Sequence, residues 1–267
     1  SRCRNQIKRF ITFVRLWEFL FNSVIHQEFS MKILNLCTLA GFPSFFFEEM
    51  EKHTELLLNT EFEDELVENP VFQDLIDRIT DFSKDCKIIG YHYTRADKDD
   101  IIKGGLKSRT GQEIRETFLS RYGKLFTPKE LDTIKNAWNA YFNKNMISCR
   151  DYRIFFNLTT TALFDSGAEP LLQYYGGEQV YMPLKGFPSI AKKIQNIGSP
   201  LLIKATLNPC QLKLFDYEDI AKVAISSYHR LLRPDASRCD HDVYQNEPVL
   251  PNQIEIVDIK NLQSRRL

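Results

Sequence analysis

The chain has 267 residues, which is long enough for one large domain or for a domain with a helical extension. Its 35 Lys and Arg residues balance 35 Asp and Glu residues, so charge gives no argument for a nucleic acid or an anionic membrane as partner. A hydrophobic content of 43%, with 20 Phe and 11 Tyr, disfavours an intrinsically disordered chain.

The six cysteines are scattered and form no C-x-x-C pair. In a chain of this length, such usage predicts reduced thiols and a cytoplasmic location rather than a disulfide framework. His229, Cys239 and His241 do not have the spacing of a standard zinc site, so no metal is expected.

Residues 1–30 predict an amphipathic helix. Arg15 and Glu18 interrupt the apolar run and no small-x-small cleavage site follows, which disfavours a signal peptide. The apolar stretch is far shorter than the ~20 residues that span a bilayer, so no transmembrane segment is expected. The sequence "FSMKIL" makes Met31 a candidate natural start, with residues 1–30 then non-native.

Residues 1–85 are expected to form a helical N-terminal region. Pro43 and Ser44 are helix-entry signals ahead of apolar residues at helical spacing. The Asn-Pro pair at 69–70 repeats this signal. The sequence after it places four apolar residues on one helical face: Phe72, Leu75, Ile76 and Ile79.

The pattern changes at Lys87. "KIIGYHYT" is β-branched and aromatic and predicts a strand. "RADKDDIIKGGLK" predicts a short helix that ends at glycine, with Ile101 and Ile102 facing the core. "TPKELDTIKNAWNAYFNKN" predicts a helix with Thr127 as N-cap and Glu130 three residues after it.

Short strands dominate the remainder of the chain. They are predicted over "NMISCRD", "RIFFNLTTT", "EQVYMPLK", "SPLLIKATLNP" and "QLKLFD", and two more over "EPVLPNQIEIVDIK". "ALFDSGAEPLLQYY" is expected to be helical in part and to end at Gly176-Gly177, and "YEDIAKVAISSYHRLL" to be a helix. Because strands outnumber helices and do not alternate strictly with them, residues 86–267 are expected to form an α+β domain.

Several common catalytic motifs are absent from the sequence. It contains no G-x-G-x-x-G after a strand, no G-x-x-x-x-G-K-[ST], no G-x-S-x-G and no H-E-x-x-H. Cys149 has no His at a recognisable spacing, which disfavours a nucleophilic cysteine.

Three separated segments nevertheless carry polar residues at strand ends. They are "GYHYTR" with the following "DDIIKGGL", then "RIFFNLTTTALF", and finally "DVYQNEPVLPNQIEIVDI", in which Gln245-x-Glu247 precedes a strand. In this order they resemble the ADP-ribosyltransferase fold, in its His-Tyr-Glu (diphtheria-toxin-like) branch of bacterial toxin and abortive-infection type. The resemblance covers residues 87–260, with threonines in place of the serines of the second motif and a longer, more helical segment over 110–147.

The resemblance implies a split β-sheet core with helical insertions, a catalytic domain over 86–267 and NAD as substrate. The implied activity is that of a mono-ADP-ribosyltransferase or NAD glycohydrolase that transfers ADP-ribose to a protein or nucleic acid. The implied setting is a toxin or phage-defence effector, with an antitoxin or immunity protein as partner.

Glu247 is the candidate catalytic carboxylate, with Gln245 in the same motif. Cleavage of the nicotinamide–ribose bond passes through an oxocarbenium-like transition state, which a carboxylate beside the ribose stabilises. His92 is the candidate hydrogen-bond partner of a ribose hydroxyl. Arg95 is expected to neutralise the pyrophosphate. The residues expected to bind NAD are Tyr91, His92, Tyr93, Thr94, Arg95, Thr159, Thr160, Tyr174 and Tyr175, with Tyr93, Tyr174 or Tyr175 stacking on nicotinamide and the threonines bracing the ribose or Glu247.

Alternatives remain open at this point. Glu255 and Glu178 compete with Glu247 for the catalytic role. An inactive relative would use the same groove to bind a nucleotide or a partner. An NAD-using RNA 2′-phosphotransferase-like enzyme would need several arginines on the groove, for which the candidates are Arg95, Arg153 and Arg230.

Overall fold

The computed structural model describes residues 31–142, 147, 149–214, 220–238 and 240–263. The amphipathic helix expected over residues 1–30 lies outside the described residues, as does Cys239. Ile33–Leu267 forms one compact unit, and all the elements below belong to it.

In the described chain, four helices precede the central strand, and the segments that follow the two helix-entry signals are helical. They are α1 (Ser44–Lys52), α2 (Thr54–Asn59), α3 (Glu63–Val67) and α4 (Gln73–Lys84). Asn69 caps a short 3₁₀ turn at Pro70–Phe72 that leads into α4, and its side chain accepts a hydrogen bond from the Val71 amide. The apolar face predicted for α4 is buried, with Leu75 and Ile79 fully enclosed.

Seven strands of the described chain form one mixed sheet. They are β1 (Ile33–Leu34), β2 (Lys87–Ala96), β3 (Ile154–Asn157), β4 (Ser199–Leu207), β5 (Lys213–Leu214), β6 (Asp242–Gln245) and β7 (Ile254–Val257). The strand order is β5-β6-β3-β2-β4-β7, and β1 pairs in parallel with the start of β2. The other pairs are antiparallel. With its helices, the chain has the α+β organisation expected from the sequence.

The central strand β2 pairs very differently with its two neighbours. It pairs with β4 along its length from Ile88 to Ala96, whereas its register with β3 is a single position, Tyr91 opposite Asn157. The β2–β3 pairing therefore does not continue past Tyr91. His92 is the first residue of β2 after the paired position.

The remaining helices lie between and after the strands. They are α5 (Lys98–Gly104), α6 (Gly111–Tyr122), α7 (Pro128–Tyr141), α8 (Glu169–Gln173), α9 (Glu178–Tyr181), α10 (Pro188–Gln195), α11 (Ile220–Leu232) and α12 (Ile259–Gln263). Thr127 and Glu130 form the capping box expected for α7, and Thr110 and Glu113 form another on α6. These reciprocal hydrogen bonds satisfy the free amides of the first turn.

Helices α1–α4 share their hydrophobic core with the sheet. Phe46 and Ile79 belong to the same buried cluster as Ile88 of β2 and Phe156 of β3. Helix α11 closes this core through Ile225 and its neighbours. A second cluster joins α6, α7 and α10 around Phe118. Residues 33–85 therefore contribute directly to the packing of the strands that follow them.

Several details differ from the sequence predictions. Strand β1 lies within the region expected to be helical, and the described residues of "NMISCRD" form no strand. Among the described residues from Lys87 onward, helices outnumber strands, contrary to the expectation. "EQVYMPLK" contains helix α9 rather than a strand. Gly177, at φ +63°, starts a turn in which its carbonyl accepts hydrogen bonds from the amides of Val180 and Tyr181. Ile102 is half exposed, and only Ile101 packs against the core. In the third segment the strand β6 precedes Glu247, and one strand, β7, follows it.

A buried histidine on α11 predicts acid sensitivity. His229 is fully buried, and its Nε2–H donates to the carbonyls of Leu57 and Thr60 at 2.9 and 3.0 Å. Burial lowers its pKa below the usual 6.5, and the charges of Arg233 and Arg230 lower it further. The unfolded chain therefore binds this proton more readily than the folded chain, and stability falls as the pH drops below 6.5.

We expect the unfolding free energy to decrease by up to about 1.4 kcal/mol per pH unit per buried histidine between pH 6.5 and 5. His229→Gln, which keeps a donor for the carbonyls, should reduce this slope. Urea denaturation at pH 7.5, 6.5 and 5.5 measures it. An unchanged slope in the variant would contradict the assignment.

Candidate functional site

His92 has a fixed orientation and one free ring nitrogen. Its Nδ1 lies 2.8 Å from the carbonyl oxygen of Phe155 on β3. A carbonyl only accepts, so Nδ1 carries the hydrogen and Nε2 holds the lone pair. Nε2 has no hydrogen-bond partner in the described part of the chain. Burial lowers the pKa of His92, so the ring is neutral near pH 7 and can accept a hydrogen bond from a hydroxyl.

The three motif strands are neighbours in the sheet although they are far apart in the sequence. Strand β2 carries His92, β3 lies beside it and precedes the threonines, and β6 lies beside β3 and ends at Gln245. Gln245 is opposite Ile154, the residue before the carbonyl that holds His92. The strands of the first and third motifs therefore flank the same short strand, β3.

Gln245 and Glu247 differ sharply in environment. Gln245 is only 3% exposed, and its Nε2 donates to the Glu247 carbonyl at 2.7 Å, which fixes the turn after β6. The Glu247 side chain is exposed, and its carboxylate makes no hydrogen bond or ion pair with the described residues. An unpaired carboxylate on a fixed backbone is available to a ligand.

The glycine pair of the first motif is joined to the loop that carries Glu247. Leu106 and Val249 exchange two backbone hydrogen bonds of 2.9 Å. Gly105, at φ +65°, makes this approach possible, because a Cβ there would lie 2.1 Å from the Val249 oxygen. We call this contact the Leu106–Val249 joint. It fixes the position of Glu247 relative to the strand that holds His92.

A second contact extends this joint to the start of β3. Tyr152 donates its amide to the Arg109 carbonyl at 3.0 Å. Its own carbonyl accepts from Ser108 Oγ at 3.1 Å and from Asn246 Nδ2 at 2.8 Å. We call this contact the Tyr152 junction. It brings together the loops before α6, before β3 and after β6.

Arg95 is engaged by the protein itself. Its guanidinium donates to the carbonyls of Ile197, Gly198 and Leu172 at 2.7, 3.2 and 3.4 Å. These bonds anchor the ends of α8 and α10 to β2. The structure therefore does not leave Arg95 free for the pyrophosphate role predicted from the sequence.

Tyr91 and Tyr93 lie on the opposite face of β2 from His92 and Thr94, as strand alternation requires. Both tyrosines are buried in a cluster with Leu202. The Tyr91 hydroxyl accepts from Asn35 at 3.3 Å, and burial raises its pKa to about 12. The Tyr93 hydroxyl donates to the Thr159 carbonyl at 3.3 Å. Of the predicted strand residues, only half-buried Thr94 shares the face of His92.

The threonines after β3 bond to groups other than Glu247. Thr159 is fully buried and donates its amide and its hydroxyl to Asp240. The Thr160 hydroxyl lies 3.4 Å from Cys37 Sγ. Burial raises the pKa of Asp240. Asp240 was not among the residues predicted from the sequence, although the two acidic residues of "CDHD", just before a strand, could have indicated it.

Tyr174 and Tyr175 pack on their own surroundings. Tyr174 stacks on Tyr181 with ring centroids 5.1 Å apart. The Tyr175 hydroxyl donates to Asp97 at 3.1 Å, and the same carboxylate oxygen accepts from Tyr122 at 2.5 Å. Neither ring is brought to the Leu106–Val249 joint by these contacts.

The competing residues are also placed. Glu255 on β7 pairs with Lys204 at 3.2 Å, and Glu178 pairs with Arg150 at 3.0 Å. Arg153 lies over the Tyr244 ring at 4.4 Å, and Arg230 donates to the Ala236 carbonyl at 2.6 Å. With Arg95 held by carbonyls, these contacts do not assemble the three arginines that an RNA phosphotransferase would need.

The described residues also contain a cavity at another part of the sheet. A cavity of about 390 Å³ opens at the β1–β7 end of the sheet, beside Asn35, Lys204 and Glu255. Among the residues with described positions, no group of three or more His, Cys, Asp or Glu side chains can hold a metal ion. No helix in the same residues has the length and apolar character needed to cross a membrane.

The structure thus places the strand of His92 and Thr94 and the strand of Gln245 on the two sides of β3, and the Leu106–Val249 joint ties the loop of Glu247 to the segment after β2. It does not bring Arg95, Thr159, Thr160, Tyr174 or Tyr175 to Glu247 through any contact described above. No family model, curated protein or solved structure matches this chain. Its function is therefore inferred from its own residues and their arrangement.

Proposed function

We propose that this protein is an NAD-dependent ADP-ribosyltransferase with an ADP-ribosyltransferase-like fold, which cleaves the nicotinamide–ribose bond and transfers ADP-ribose to a macromolecule. One observation carries the proposal. The His92 strand and the Gln245 strand flank the same short strand, and the Leu106–Val249 joint ties the first motif to the loop that presents Glu247. His92 Nε2 and the Glu247 carboxylate, which are about 155 residues apart in the sequence, both lack a hydrogen-bond partner among the described residues.

The residues fit the electronic demands of the reaction. As the C1′–N bond breaks, its electron pair neutralises the nicotinamide nitrogen and positive charge develops on the ribose. The Glu247 carboxylate stabilises that charge in the transition state and can take the proton of the attacking acceptor or water. His92 Nε2 accepts a hydrogen bond from a ribose hydroxyl and orients the sugar. No metal is required by these steps.

The resemblance also carries the biological proposal of a toxin or phage-defence effector with an antitoxin or immunity partner. Residues 33–85 share the core of the sheet, so their outer faces are the surface that such a partner would contact. The acceptor class, protein or nucleic acid, is open in this proposal.

A second candidate is a nucleotide-binding or partner-binding module without catalysis. It is favoured by the engagement of Arg95, Thr159 and Tyr175 in hydrogen bonds with the protein itself. Such a module would bind NAD or ADP-ribose without releasing nicotinamide.

The test is nicotinamide release from NAD by the purified protein, with and without cell extract as a source of acceptor. We expect release by the wild type and its loss in His92→Ala, with circular dichroism showing that the variant is folded. Binding of NAD without release under either condition would favour the binding module. If NAD is neither bound nor cleaved, the enzyme and the nucleotide-binding module are both rejected.

A further inference from the structure

One arginine near the candidate site has no hydrogen-bond, ion-pair or ring partner among the described residues. The guanidinium of Arg109 makes no hydrogen bond, ion pair or aromatic contact with the described residues, and its Nε is buried. The other arginines with described positions each contact a carboxylate, a carbonyl, an amide or hydroxyl oxygen, or a ring. These are Arg78, Arg95, Arg115, Arg121, Arg150, Arg153, Arg230, Arg233 and Arg238.

The backbone around Arg109 is fixed on both sides. The Leu106–Val249 joint holds the loop before it, and Tyr152 donates its amide to the Arg109 carbonyl. Thr110 caps helix α6, and the Gly111 amide donates to Asp151 at 2.8 Å. The side chain is therefore presented at a defined place at the Tyr152 junction.

Stability does not explain a guanidinium at this position. A half-buried Arg without an acceptor loses hydration and gains no hydrogen bond. A cation immediately before a helix N-terminus also opposes the helix dipole. Glu113 is close enough for the charge of Arg109 to help lower its pKa, but its carboxylate is bonded to Thr110.

A second unpartnered atom lies at the same junction. Gln245 is 3% exposed, and its Oε1 is buried without a donor. The next residue, Asn246, donates its side-chain amide to the Tyr152 carbonyl, while the Tyr152 amide donates to the Arg109 carbonyl. Arg109 thus supplies a cationic donor and Gln245 a neutral acceptor, and both residues are linked to Tyr152 by the contacts given above. A nucleotide supplies the matching groups, an anionic phosphate and a ribose hydroxyl.

We propose that Arg109 binds the diphosphate of NAD, in the role for which the sequence had favoured Arg95. This inference rests on the proposed use of NAD and identifies a binding residue of the same site. Gln245 Oε1 accepts a hydrogen bond from a ribose hydroxyl of the same molecule. Glu247, two residues further along, then lies beside the ribose that reacts.

The experiment is isothermal titration of ADP-ribose, which holds the diphosphate but cannot release nicotinamide. Charge-assisted hydrogen bonds to phosphate are strong, so we expect Arg109→Gln to weaken binding roughly 10- to 100-fold. The ADP-ribose affinity of Arg109→Lys should fall between those of Arg109→Gln and the wild type, because Lys keeps the charge but not the bidentate geometry. Adenosine, which lacks phosphate, should bind the wild type and Arg109→Gln equally.

Two controls separate binding from folding. Arg78→Gln removes an exposed arginine of α4 that is paired with Asp74, and it should leave ADP-ribose affinity unchanged. Urea denaturation of Arg109→Gln should show no loss of stability, because no protein contact is removed.

The outcomes distinguish this inference from the enzyme proposal. Suppose that ADP-ribose binding depends on Arg109 but the protein releases no nicotinamide from NAD. This result supports the role of Arg109 and rejects catalysis. ADP-ribose that binds equally well to the wild type and Arg109→Gln, or that does not bind to the wild type, overturns the inference whether or not nicotinamide is released.

Discussion

Glu247→Gln is expected to lower the rate of nicotinamide release by about 10²- to 10³-fold, the effect typical of removing one preorganised electrostatic group from an active site. The amide has nearly the shape of the carboxylate but not its charge, so the loss should fall on kcat more than on NAD affinity. Stability should change by less than about 0.5 kcal/mol, because the Glu247 side chain is exposed and has no partner among the described residues.

Glu255→Gln is the matched control for this experiment. Glu255 is also an exposed carboxylate of the third motif, but it lies on β7 and pairs with Lys204. Its substitution should leave nicotinamide release unchanged. Full activity in Glu247→Gln together with a loss in Glu255→Gln would move the catalytic role to Glu255 and reject the geometry described above.

Gly105→Ala is expected to destabilise the protein by roughly 3–5 kcal/mol. Gly105 has φ +65° and ψ −158°, a region that residues with a side chain enter only at a cost of about 1–3 kcal/mol. The new Cβ would also lie 2.1 Å from the Val249 oxygen, so the two hydrogen bonds of the Leu106–Val249 joint must break. Each lost bond adds about 1 kcal/mol.

Gly177→Ala separates the backbone cost from the loss of the joint. Gly177 has φ +63° and ψ −169°, nearly the same conformation, but a Cβ there meets no atom within 4 Å. Urea denaturation should therefore show a smaller loss, of roughly 1–3 kcal/mol. Nicotinamide release by the folded protein should fall in Gly105→Ala and persist in Gly177→Ala. Equal destabilisation and equal activity in the two variants would show that the joint is unimportant.

The elements with strong local signals were predictable from the sequence. Thr127 and Glu130 specify the start of α7, and the β-branched and aromatic residues of "KIIGYHYT" specify β2, because capping and strand propensity act within a few residues. Helix α9 was not predictable in this way. Its four residues are too few to show a helical period, and the turn that starts at Gly177 decides the outcome.

The candidate site was predictable in its motifs but not in its partners. His92 and Glu247 follow from the residue types and their order, and the sheet places their strands close together. The guanidinium of Arg95 is bonded to carbonyls that are 77 to 103 residues away in the sequence, and the Thr159 hydroxyl is bonded to Asp240, 81 residues away. A sequence pattern carries no information about which distant acceptor a side chain meets. Arg109 could not be identified from the sequence for the converse reason, since only the structure shows that its side chain has no hydrogen-bond partner among the described residues.

Hydrogen–deuterium exchange with and without saturating NAD, using Glu247→Gln to prevent turnover, tests most directly whether the three motifs form one NAD site. We predict protection of amides in residues 90–95, 104–110 and 243–249, with no change beside the 390 Å³ cavity around Asn35, Lys204 and Glu255. Protection confined to that cavity, or none in the three segments at saturating NAD, would contradict the account.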